Sequence, residues 1–294
     1  MTAAVDVPID SALVRRLVAD QFPHWQDLPV RQILPGGWDN RSFRLGPALL
    51  ARLPSAAAYA PQVATEHRWL PQLAPRLPLP IPVPIAIGRP GHGYPFAWSV
   101  LGWLEGEPAT TAAVPDRLAL ARDLAGFLNV LHALPGRDGP EFGPRNFWRG
   151  APPAAYDAEV EAALARLKDA ATRRAAAAVW REALASCWPG LPVWLHGDIA
   201  PANLLIRDGR LAAVIDFGGV AVGDPACDLA IAWRGFDHAM RAAFRERLAL
   251  DDATWARGRG WALWKALILV TGIADAPAWD MRQARAQLAD ILQG

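Results

Sequence analysis

Apolar and polar positions alternate differently in the two halves of the chain. After Asp10 and Ser11, either of which can cap a helix, "ALVRRLVADQF" places its apolar residues three and four apart, the spacing of an amphipathic helix. "VRQIL", "RSFRL" and "ALLARL" are short runs separated by "PGGWDN" and Gly46-Pro47, which predicts three strands joined by turns. Helical spacing returns in "APQVATEHRWLPQL", with Pro61 tolerated in its first turn. The Pro-rich "PRLPLPIPVP" suits an extended connector, and "PIAIG" and "YPFAWSVLGWL" predict two further strands. From "EGEPA" at 105–109 the pattern turns helical, beginning with "DRLALARDLAGFLNVLHAL" and continuing through Ala-rich segments from 155 to 187. Three short strands interrupt it, "VWLHG", "NLLIR" and "LAAVIDF", the last two joined at Asp208-Gly209, a strong hairpin signal. Helices, one of them Trp-rich around "WALWKALILV", then run to the end. This predicts two units, residues 1–104 rich in strands and residues 105–294 mainly helical.

Composition narrows the function classes. A chain of 294 residues, 52% of them hydrophobic, can bury a large core. A net charge of +1 without a basic block argues against nucleic acid as the main partner. No apolar run approaches the roughly 20 residues that a membrane helix needs, and "MTAAVDVPIDSALVRRLVAD" lacks the pattern of a signal peptide, so the expected location is the cytoplasm. Cys187 and Cys227 suggest neither a disulfide framework nor a zinc cluster.

The chemistry concentrates in "WLHGDIAPANLLI" and "AAVIDFGGVAVGDPACDLA". Each contains an apolar run that ends on a carboxylate, Asp198 and Asp216, where burial without compensation is costly. The predicted hairpin brings Asn203, at the start of one strand, toward Asp216, at the end of the next. A carboxylate and an amide oxygen suit Mg²⁺, which takes its remaining ligands from water and substrate phosphates. Asp198 is then the free carboxylate, able to orient a hydroxyl and accept its proton.

"HGDIAPANLLI" followed by "IDFGGVAVGDPACDLA" resembles the catalytic region of the aminoglycoside phosphotransferase family, relatives of the protein kinases. The resemblance implies an α+β, protein-kinase-like two-lobed fold, with an N-terminal antiparallel sheet and one helix before a mainly helical C-terminal lobe. It implies Asp198 as catalytic base, Asn203 and Asp216 as ligands of Mg²⁺, and His196, Asp224 and Asp228 as supports of the site. In the N-terminal half it implies a phosphate lid at Gly36 and Gly37, where small residues let backbone approach phosphate oxygens. It further implies a phosphate-binding cation at Arg52, where the family usually carries lysine, and its partner at Glu66. Backbone groups of Ser99, Val100, Leu101, Gly102 and Trp103 would meet the base of ATP or GTP.

The implied activity is transfer of the γ-phosphoryl of ATP or GTP to a hydroxyl of an aminoglycoside, macrolide or other natural product, with antibiotic resistance as a separate expectation. The alternatives are a metabolite kinase of the choline, homoserine or sugar type and a catalytically silent nucleotide-binding module. An acceptor that is polycationic calls for acidic residues, for which Asp157, Glu159, Glu161, Asp237, Asp251 and Asp252 are candidates. Trp255, Trp261 and Trp264 are expected mainly to pack the core, with an apolar pocket as the sharper reading.

Overall fold

The computed structural model describes residues 7–34, 36–37, 39–274 and 278–293. The first residues, read above for a signal peptide, and Pro35 and Trp38 of the "PGGWDN" turn lie outside them. The chain divides into two compact units, Met1–Gly106 with Ala212–Gly219, and Glu107–Leu211 with Val220–Gly294.

The first unit opens with helix α1 (Ser11–Gln21). The Asp10 carboxylate accepts the Leu13 N–H at 2.8 Å and so closes the first turn. A five-stranded antiparallel sheet follows, made of β1 (Val30–Gln32), β2 (Asn40–Leu45), β3 (Leu49–Pro54), β4 (Pro84–Gly88) and β5 (Trp98–Gly102), in the order β1-β2-β3-β5-β4. Leu13, Val14, Leu17 and Val18 of α1 are buried with Phe43, Leu45, Leu53, Trp98 and Val100 from the sheet. Helix α2 (Ala60–Leu73) is inserted between β3 and β4 and buries Val63, Trp69, Leu70 and Leu73, together with Glu66. Residues 77–83, the centre of the Pro-rich connector, form no helix or strand.

The second unit begins with the two-residue strand β6 (Glu107–Pro108) and the long helix α3 (Arg117–Ala133), which Asp116 caps through the Ala119 N–H. Helices α4 (Asp157–Arg166) and α5 (Ala170–Leu184) precede β7 (Val193–Leu195). Strands β8 (Leu204–Arg207) and β9 (Arg210–Val214, of which Ala212 onward is counted with the first unit) flank Asp208-Gly209, both at positive φ (54° and 74°), as a type I′ turn requires. Strand β10 (Ala221–Gly223) pairs antiparallel with β7, so the loop after β7 starts from a fixed support. Helices α6 (Ile231–Arg234), α7 (His238–Arg247), α8 (Asp252–Val270) and α9 (Ala278–Gln293) complete the unit. Helix α8 is apolar nearly all round, since it packs against α4, α5, α6 and α9.

Candidate active site

In the second unit everything about the loop after β7 turns on Asp228, which has no exposed surface. Its Oδ2 accepts the backbone N–H of His196 at 3.0 Å and its Oδ1 that of Gly197 at 2.7 Å. His132 Nε2, from α3, lies 3.1 Å from the same Oδ2. Gly197 has φ +88°, a left-handed conformation that glycine adopts without penalty, and this turn accompanies the donation of two successive N–H groups to one carboxylate. The Asp198 N–H then donates to His196 Nδ1 at 3.1 Å, which makes Nδ1 an acceptor.

The Asn203 side chain donates from Nδ2 to the main-chain carbonyl of Asp198 at 2.9 Å. That bond orients the amide so that its oxygen, a hard metal ligand, stays available. The Asp198 carboxylate is half-exposed. Burial raises its pKa, but Arg149, Arg234, Lys265 and His196 outweigh burial and hold it below the usual carboxylate range. A loop fastened through its backbone thus presents one ionised carboxylate.

Asp224 has a different task. Its Oδ1 accepts the Ala226 N–H at 3.0 Å, and Arg257 Nε donates to its Oδ2 at 2.6 Å. Arg257 also donates to Ser186 Oγ and Thr254 Oγ1, so its guanidinium is satisfied within a fully buried setting. Just before Asp224, a Cβ on Gly223 would lie 2.3 Å from the Gly150 carbonyl oxygen, so only glycine fits there.

A model of the phosphotransferase enzyme family matches residues 30–261. The chain belongs to this family. No curated protein matches it. Among solved structures, it is similar to aminoglycoside 2'-phosphotransferase-IIIa in complex with GDP, at 18% identity and TM-score 0.78 over 97% of this chain and 99% of that one. It is also similar to macrolide 2'-phosphotransferase from Brachybacterium faecium, at 23% identity and TM-score 0.65 over 97% and 98%. A ternary complex of aminoglycoside phosphotransferase (4)-Ia with AMP-PNP and hygromycin B gives 22% identity and TM-score 0.64 over 94% and 98%. At these identities the likeness establishes a shared fold, the kinase-like α+β architecture.

The remaining candidate residues of this phosphotransferase-family chain fall into three groups. In the first unit, Arg52 on β3 donates from Nη1 to Glu66 Oε1 of α2 at 2.6 Å and from Nη2 to Asp216 Oδ1. Burial disfavours the charge on Arg52, but Glu66, Asp216 and Asp39 outweigh it and the guanidinium stays ionised. Asp216 has φ +68°, which aspartate tolerates better than bulkier residues, and its carboxylate is partly exposed. Gly36 and Gly37 lie exposed between β1 and β2, and Arg41 Nη1 donates to the Gly37 carbonyl. Cβ atoms there would meet only ordinary contacts at 3.7 and 3.5 Å, so the fold itself does not demand glycine.

Ser99, Val100, Leu101 and Gly102 belong to β5, which is paired on one side with β3 and on the other with β4. The Gly102 and Trp103 amides donate to Val83 and Ala48 carbonyls. A strand engaged on both edges has little left for a base, and the chain leaves the ladder only after Gly102.

Five of the six acidic candidates for a polycation have structural duties instead, and Glu161 is exposed on α4. Asp157 accepts from Trp180 Nε1 and Glu159 from Trp264 Nε1. Asp237 and Asp251 cap α7 and α8, while Asp252 pairs with Arg245 at the surface. Trp255, Trp261 and Trp264 are buried, as the core reading expects, yet Trp261 and Trp264 also line a cavity beside Asp198. Sequence reasoning missed the other lining groups, Arg149, Arg234 and Lys265. The signal available for Lys265 was its place four residues after Trp261, which puts both on one face of α8.

Among the described residues no group of three or more His, Cys, Asp or Glu side chains is arranged to hold a metal. The donors that the family resemblance nominates, an amide oxygen and a carboxylate, suit Mg²⁺, which typically binds through one or two carboxylates with water and phosphate oxygens.

Proposed function

We propose that this protein transfers the γ-phosphoryl group of ATP or GTP to the hydroxyl of a small molecule, with Asp198 as general base. The observation that carries the reading is the clamp of Asp228 on the His196 and Gly197 amides, with Asn203 on the Asp198 carbonyl. This clamp fixes a loop whose remaining open group is the Asp198 carboxylate. In this reading the acceptor hydroxyl hydrogen-bonds to Asp198, which takes its proton as the oxygen attacks phosphorus. Asn203 and Asp216 supply the oxygens for Mg²⁺, which when bound neutralises phosphate charge. Arg52, held by Glu66, serves the phosphates from β3; His196 and Asp228 position the loop, and Asp224 shapes the turn before Asp228. Gly36 and Gly37 approach the phosphates, and the base is read where the chain leaves β5, at Trp103 and beyond. The triphosphate donor places the reaction in the cytoplasm, and among the described residues no helix is long and apolar enough to cross a membrane.

The direct test is a nucleotide-consumption screen of the full chain with Mg²⁺ and ATP or GTP against hydroxylated antibiotics and metabolites. Consumption that depends on an acceptor supports the reading; nucleotide binding without consumption for any acceptor favours the silent module.

Two variants probe the nucleotide side. Asp216→Ala is expected to weaken Mg-nucleotide binding by about tenfold or more, since even outer-shell partners of a metal are worth about 10–100-fold. Calorimetric titration of the Mg-nucleotide measures this. Arg52→Lys is expected to slow turnover and raise the nucleotide KM. One ammonium cannot reproduce the planar fork that meets Glu66 and Asp216 together, and a hydrogen bond to a charged group is worth about 1.5–3 kcal/mol. Unchanged kinetics would mean that arginine is a tolerated replacement at this position.

A further inference from the structure

The cavity beside Asp198 is a shallow hollow open to solvent. Its walls are dominated by positive charge. Arg149, from the loop before Gly150, Arg234, at the end of α6, and Lys265, on α8, all line it. Trp261 and Trp264 form an aromatic wall, with rings 5.7 Å apart and nearly perpendicular, and Tyr156 stacks on Trp264 at 3.9 Å. The Arg149 guanidinium lies 5.4 Å from both indole centres, and Lys265 Nζ 5.9 Å from that of Trp264.

Partners for these cations are scarce. Arg234 Nη1 is 4.0 Å from Asp198 Oδ1, a loose pair. Among the described residues, neither Arg149 nor Lys265 has a carboxylate within 4.0 Å, although Asp280 exerts some attraction on Arg234 and Lys265. Two buried donors on the lining residues, Arg234 Nε and Trp261 Nε1, have no hydrogen-bond acceptor. Burial and the mutual repulsion of the three cations press the Lys265 ammonium toward neutrality. The backbone that carries Arg149 is itself held against preference, with Phe147 and Trp148 both at positive φ (53° and 56°). The Tyr156 hydroxyl on the Phe147 carbonyl, and the Asp224 amide on that of Gly150, fasten this segment.

Like charges gathered in a partly desolvated hollow, with donors unsatisfied, are the complement of an anion. We infer that the acceptor is a small alcohol bearing a carboxylate or phosphate group, bound through Arg149 and Lys265 against the tryptophan wall. The inference rests on Asp198 as the base that meets the acceptor hydroxyl. It sets a polycationic acceptor aside, because three cations would repel it and five of the six acidic candidates, Glu161 excepted, are spent on indoles, caps and a surface pair.

The test pairs ligands that differ in charge alone: gluconate against sorbitol, and glycerol 3-phosphate against glycerol, with kanamycin as the polycation. Intrinsic tryptophan fluorescence, which Trp261 and Trp264 should report, and calorimetry follow binding to the full chain. At least one anion is expected to bind tenfold or more tightly than its neutral counterpart, with affinity falling as salt rises; which of the two it is separates carboxylate from phosphate. Lys265→Met and Arg149→Met are each expected to weaken that anion at least fivefold while leaving Mg-nucleotide affinity unchanged, in variants whose circular dichroism matches the parent. Asp198→Asn, which removes a repelling charge and also turnover, is expected to tighten it. Equal affinity within both pairs, no saturable binding of either anion, tighter binding of kanamycin, or a loss of nucleotide affinity in the two cation variants would overturn the inference. Because binding is read without turnover, anion binding in a protein that consumes no nucleotide would overturn the phosphotransferase reading, and with it the acceptor role, while leaving the anion site itself standing. Acceptor-dependent consumption without anion binding would overturn this inference alone.

Discussion

Asp198→Ala is expected to lower kcat by about a thousandfold, within the range for loss of a positioned general base, while Mg-nucleotide binding stays measurable. The separation follows from how the loop is held. Asp228 grips the backbone of His196 and Gly197, and Asn203 grips the backbone carbonyl of Asp198, so deletion of the Asp198 side chain removes no bond on which the loop depends. The lost carboxylate is half-exposed, so little stability should go with it. Single-turnover kinetics beside nucleotide titration would measure both. An equal fall in nucleotide affinity would show that Asp198 belongs to the metal rather than to the acceptor.

The same carboxylate sets a pH expectation. Burial works to raise its pKa, but Arg149, Arg234, Lys265 and His196 together bring it down. A base with a depressed pKa stays ionised as pH falls and is lost only below that value. The acid limb of the kcat/KM profile should therefore lie below the ordinary aspartate value of about 3.9. In Lys265→Met one stabilising charge is gone, and the limb should move to higher pH.

Arg257→Met is expected to be the most damaging change to stability, about 3–5 kcal/mol at neutral pH, the usual cost of removing one partner from a buried ion pair. Arg257 is fully buried and its guanidinium reaches Asp224, Ser186 and Thr254. Without it, Asp224 keeps the Ala226 N–H but loses its counter-charge. Burial already raises the Asp224 pKa, ahead of the lowering by Arg257, so the variant should raise it further. A carboxyl with a raised folded-state pKa favours the folded state at low pH and penalises it as pH rises past the unfolded value. The deficit measured by urea denaturation should therefore shrink below about pH 4 and grow toward neutrality. Adding Asp224→Leu should restore part of the loss by removing the stranded charge.

What could be read in advance was whatever depends on local pattern. The bounds of α2 and the Asp10 cap of α1 follow from spacing and from one side chain's hydrogen bond. The Asp208-Gly209 turn follows from backbone freedom. Strands β6 and β10, two and three residues long, are too short to show any alternation and are defined only by their partners. The cation cavity was illegible for a related reason. Arg149, Arg234 and Lys265 are dispersed over more than a hundred positions among many arginines, and only the packing of α6 and α8 with the loop before Gly150 collects them. Arg52 and Glu66 stood out because a known pattern gave them places, but Asp216 as the second carboxylate on Arg52 is a product of tertiary structure.

The return of Ala212–Gly219 to the first unit has a consequence for biosynthesis. Until the ribosome has extruded the chain beyond Gly219, Arg52 has Glu66 and Asp39 to balance its buried charge, but Asp216, the carboxylate that accepts from its Nη2, is still being made. Completion of the Arg52 network must wait for most of translation to finish, and a fragment ending near Gly106 would emerge with Arg52 lacking one of its two carboxylate partners.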